Sequence, residues 1–94
     1  MDDTTAGSTQ AWLLSETMDR DRFTLQALWE GYRGQGGTVE QFEIEAYLQQ
    51  CLHLPAFQRD ILIHAANQLL EAQHQPRLPY TRDLLHGADT TPEE

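Results

Sequence analysis

Between Gln10 and Arg33 the apolar residues Ala11, Leu14, Met18, Leu25, Leu28 and Tyr32 recur at helical spacing, interrupted once where Asp21 fills the slot between Met18 and Leu25. Trp29 widens the stripe beside Leu25 and Tyr32. No proline occurs in this stretch and its single glycine, Gly31, lies near the end. The pattern predicts one helix over about 10–33 with a weak point at the charged cluster, the alternative being two helices that break near Met18-Asp19-Arg20-Asp21, and Ser8 or Thr9 as N-cap. The glycines of Arg33-Gly34-Gln35-Gly36-Gly37 stop it, with Gly34 expected in the left-handed C′ position. Thr38, with Gln41 three residues on, reads as the capping box of a second helix over about 39–52.

That second helix has two apolar faces. Ile44, Tyr47, Leu48, Cys51 and Leu52 form one, and Val39, Phe42 and Ala46 lie nearly opposite, so the helix is expected to pack between two neighbours. Pro55 then suits the first position of a third helix, over about 55–74. There Phe57, Ile61, Leu62, Ile63, Ala65, Ala66, Leu69, Leu70 and Ala72 cover about two thirds of the circumference, which makes this helix the expected centre of the core. Pro76 ends it, and Pro79 opens a short final helix over about 79–86, stopped by Gly87. The fold class is therefore all-α: a small bundle of three main helices (about 10–33, 39–52 and 55–74) plus a short C-terminal helix (79–86). The expected organisation is one domain over 9–86, flanked by a disordered tail at 1–8 and a disordered acidic tail at 87–94.

Composition narrows the possible partners. A chain of 94 residues is one domain and buries only about 60–65% of the surface its unfolded form exposes, so a second subunit would help it. Fifteen acids against six bases give a net charge of −9, and all six bases are arginines. Only Arg20 and Arg22 are close together, with Asp19 and Asp21 interleaved, so direct nucleic-acid binding is not expected. Cys51 is the sole cysteine, which excludes an intrachain disulfide. The acidic, polar start of the chain has no leader-like segment, and no apolar run reaches the ~20 residues of a bilayer span. A cytoplasmic protein without membrane contact is expected.

Candidate chemistry is sparse. In the third helix Asp60, His64, Asn67 and Glu71 align on one face, with His74 beside them. Such a strip would serve a metal site or a proton relay, but it is also the wet side every buried helix keeps, and the latter is expected here. Cys51 and His53 are too few ligands for zinc, and a thiol on an apolar face behaves as a small hydrophobe. No phosphate-binding, hydrolase or zinc motif is present, so no catalytic residue, metal or cofactor is assigned.

What remains is apolar surface. Trp12 and Leu13 lie off the main stripe of the first helix, and Trp29 and Tyr32 are large enough to anchor an interface. Leu78 and Tyr80, with Arg82 at the rim, either close the core or dock on a partner. The expectation is a small non-enzymatic adaptor or regulator acting through protein contacts, as a homodimer, with Trp12, Leu13, Trp29, Tyr32, Leu78, Tyr80 and Arg82 as partner-binding residues. The alternative readings are an acidic mimic of nucleic acid, or a helix-turn-helix-like regulator using Gln58 and Arg59 near the start of the third helix.

Overall fold

The first helix starts a full turn or more before the apolar stripe does. In the computed structural model, which describes residues 2–21 and 23–86, α1 runs Asp3–Asp21. The Asp2 carboxylate accepts the Thr5 N–H at 2.8 Å and the Asp2 carbonyl accepts that of Ala6, so Asp2 is the working N-cap. That hydrogen bond holds the Asp2 carboxyl below its usual range. The expected tail at 1–8 is thus corrected over residues 3–8, which are helical, with Ala6 and Gly7 buried. The expected acidic tail at 87–94 lies outside the described residues.

The predicted long helix is two helices. α2 runs Leu25–Gly34, opened by Thr24, whose hydroxyl accepts the Ala27 N–H at 3.0 Å. The break falls just past the charged cluster. Phe23, which has no place on the predicted stripe, is buried at the break. Phe23 before the cap and Leu28 four residues after it both sit in the core, the arrangement of a hydrophobic staple. α2 ends with Gly36, not Gly34, in the left-handed conformation at φ +99°, and the Gly37 N–H returns to the Tyr32 carbonyl at 3.0 Å.

α3 is short, Gln41–Leu48, and is capped by Glu40, whose N–H is taken by the Glu43 carboxylate at 3.1 Å. Thr38 does not cap it: its N–H and that of Val39 donate to the Tyr32 hydroxyl, at 3.1 and 2.9 Å. Gln50 takes a left-handed conformation at φ 62°, so Cys51 and Leu52 belong to an exposed turn and not to an apolar helix face. The second apolar face of α3 is only partly covered: Val39 packs half-buried against the core and Ala46 is half-buried, while Phe42 stands 71% exposed.

α4, Ala56–Ala72, is the centre of the fold, in contact with α1, α2 and α5. Leu62, Ile63, Ala65, Ala66 and Leu70 are its buried residues of apolar type, while Ile61 and Leu69 are only half-buried. His74 follows the helix in a left-handed turn, and so does not extend the polar strip. α5 is Thr81–His86, beginning two residues later than Pro79. Among the described residues, five helices pack into one all-helical body with a radius of gyration of 13.1 Å, near the ~13 Å of a packed domain of about this length.

Candidate functional site

The polar strip of α4 is where the C-terminal segment docks, which corrects its assignment as the wet side. The Asn67 amide is buried and holds Leu78 at both ends: it donates to the Leu78 carbonyl at 3.1 Å and accepts the Leu78 N–H at 2.6 Å. Two turns earlier the Asp60 carboxylate accepts the Thr81 N–H at 2.7 Å, at the start of α5. His64 Nδ1 lies 3.0 Å from the Tyr80 hydroxyl. The backbone from Pro76 to Pro79 is in no helix or strand, so α4 side chains supply hydrogen-bond partners for it. Glu71 stays exposed.

This docking leaves a shallow groove of about 580 Å³ between α4 and the start of α5. Phe57 and Ile61 form its apolar floor, Tyr80 and His64 one wall, and Arg82 and Gln35 the rim. Phe57 is 72% exposed although it belongs to the helix at the heart of the core. On the α4 wheel it lies opposite Leu62, Ile63, Ala66 and Leu70, the arc that packing against α1, α2 and α5 buries.

Across α4 from this groove lies Arg59, fully buried and saturated. Its five N–H donors meet five acceptor contacts: Nε to Gln10 Oε1 at 2.7 Å, Nη1 to the Leu54 carbonyl at 2.8 Å and Asp3 Oδ2 at 3.3 Å, and Nη2 to Asp3 Oδ1 at 2.6 Å and Thr81 Oγ1 at 3.2 Å. One side chain thereby ties α4 to both ends of α1's first turns, to the 54 loop and to α5. The arrangement is a clamp. The guanidinium holds the Asp3 carboxyl below its usual range, and His53 Nε2 adds a contact at 3.6 Å. Alongside, the Tyr47 hydroxyl donates to the Gly7 carbonyl at 2.8 Å, and burial pushes its phenol far above the usual value. The signal for Arg59 was an arginine at the centre of α4's apolar arc, and for Gln10 a glutamine on α1's buried face with Leu14 and Thr17.

The partner-binding residues expected from the sequence do not gather at one place. Tyr80 and Arg82 line the α4–α5 groove. Trp12 is 55% exposed on the outer side of α1, whereas Leu13 packs half-buried against the core. Trp29 is half-buried, donates its indole N–H to the Val39 carbonyl at 3.1 Å and carries the Arg33 guanidinium 5.4 Å above its ring. Tyr32 and Leu78 are buried, so neither is available as a surface anchor. Tyr32 instead organises the α2–α3 loop, accepting two backbone N–H groups and donating to Gln58. Arg59 and Gln58 are likewise engaged inside the chain, which removes the side chains on which a base-reading helix would depend.

Among the described residues, no three His, Cys, Asp or Glu side chains converge as a metal site, and no helix is long and apolar enough to cross a membrane. The described residues form a small all-helical protein with an internal arginine clamp and an open groove floored by Phe57 and Ile61. No family model matches the chain, and no curated protein or solved structure gives a significant match.

Proposed function

We propose that this protein is a small non-enzymatic adaptor or regulator that works through protein contacts, with a homodimer as its simplest form. The observation that carries the reading is Phe57, 72% exposed on the floor of a groove whose wall and rim bear Tyr80 and Arg82. Aromatic and arginine side chains around an open apolar floor are the composition of interface hot spots. The core beneath is closed without Phe57, so its exposure is not a by-product of poor packing. Trp12 and Phe42 offer further apolar surface on α1 and α3.

Sedimentation velocity across a concentration series tests the dimer, and capture from the native host with mass spectrometry tests other partners. Wild type is compared with Phe57→Ser and Trp12→Ala. The expected result is an assembly or a captured protein that Phe57→Ser loses while the variant keeps its helical circular dichroism. A monomer at all concentrations removes the dimer. If, in addition, wild type and Phe57→Ser capture the same proteins, the reading itself is removed.

A further inference from the structure

A second groove, of about 470 Å³, opens where α1, α2 and α3 meet, and it shares no lining residue with the α4–α5 groove. Its floor is apolar. Met18, Leu25 and Leu48 pack against the core from one side and remain half-open to solvent on the other. Its rim is acidic and polar, with Asp19 from the last turn of α1 facing Glu45 and Gln49 from the end of α3, all exposed. The Ser15 hydroxyl donates to the Leu48 carbonyl at 3.1 Å and ties α1 to the last turn of α3, which fixes the floor.

Among the described lining residues the charge has one sign. Among the described residues no basic side chain lines the groove, and Arg20, though exposed and adjacent to Asp19, does not line it. α1 and α3 both end at this junction, so their carbonyl ends add partial negative charge to that of the two carboxylates. α2 begins here too, but the Thr24 hydroxyl already meets its first turn through the Ala27 N–H.

We propose that this groove binds a basic amphipathic segment of a partner protein, with Leu- or Met-like side chains on the floor and Lys or Arg side chains reaching Asp19 and Glu45. The inference rests on the reading that protein contacts are this chain's work, and it adds a second surface and a partner chemistry to it. Charge complementarity selects the occupant. An acidic rim on a chain of net charge −9 repels nucleic acid and anionic membrane surfaces. A second copy brings the same net negative charge and no lysine, and its arginine-bearing stretch at 75–82 is already held on α4 through Leu78 and Thr81, so it is the poorer match to the groove. Methionine on the floor suits a site that adapts to varied apolar side chains.

The test uses three labelled synthetic helical peptides: one with alternating lysine and leucine faces, its Lys→Glu counterpart and its Leu→Ser counterpart. Fluorescence anisotropy reads affinity on the full chain, and amide chemical shifts locate the contact. Only the first peptide is expected to bind saturably, more weakly as salt rises. Its shifts should fall at Ser15 to Asp19, Leu25 and Glu45 to Gln49. Asp19→Lys with Glu45→Lys should weaken it by about tenfold, while Phe57→Ser binds as wild type does. Both rim residues are exposed, so the double variant should keep its circular dichroism. Equal binding of the glutamate or serine peptide, shifts centred on Phe57 and Tyr80, or an unaltered double variant would overturn the assignment. Failure of the lysine peptide alongside a host partner still lost in Phe57→Ser overturns this groove alone. Failure of both removes the protein-contact reading as well.

Discussion

Replacing Arg59 with methionine tests whether the clamp holds the bundle together. The substitution keeps an unbranched, apolar stem of similar reach and deletes five donors at once. The Leu54 carbonyl is then left buried without its donor, and Gln10 Oε1 keeps only the Thr81 hydroxyl at 3.4 Å. Each orphaned buried acceptor costs about 1–3 kcal/mol. Asp3 adds less, because its side chain is 48% exposed and can take up water. Relief of guanidinium burial and the apolar stem offset part of this. The net expectation is a loss of about 3 kcal/mol, large against the ~5–14 kcal/mol typical of a chain of this size. It should appear as a drop in melting temperature on the order of 15 °C. Urea denaturation followed by circular dichroism at several pH values measures it, with the exposed Arg82→Met as a control expected to stay within about 0.5 kcal/mol. A loss below about 1 kcal/mol for Arg59→Met would refute the clamp as a source of stability.

Three further outcomes follow from the same contacts. Asp3→Asn should flatten the acid limb of the stability curve. The Asp3 carboxyl is held below its free value in the folded chain, so its contribution is full above the unfolded pKa near ~4 and is lost as pH falls through the folded value. An identical acid limb in wild type and variant, by urea titration between neutral pH and strong acid, would contradict the ion pair. Asn67→Ala should release the C-terminal segment, speeding hydrogen exchange at the Leu78 amide and cleavage after Arg77, while α4 amides stay protected. Gly37→Ala places a Cβ 2.3 Å from the Tyr32 ring, which two backbone donors and Gln58 hold in place, so a loss of roughly 1–3 kcal/mol is expected from thermal melts. Unchanged melting would mean that ring moves freely.

The all-helical class and the central helix were legible in the residue pattern alone. Those depend on local signals: the spacing of Leu62, Ile63, Ala66 and Leu70 in one helix, of Leu14, Leu28 and Tyr32 in the others, and the glycines and prolines between them. Tertiary structure decided what those signals leave open. The split of the first predicted helix accompanies the burial of Phe23, which has no place on the stripe and packs in a core assembled from several helices. The start of α1 depends on Asp3 meeting an arginine 56 residues away, a polar contact that no apolar periodicity encodes. The same holds for the candidate surface. Tyr32 and Leu78 look like anchors in the sequence and are buried, while Phe57 looks like core and is exposed, because burial depends on which side of a helix its neighbours happen to cover. A helical repeat fixes the angle between side chains but not which arc is covered, and only packing against α1, α2 and α5 settled that for α4.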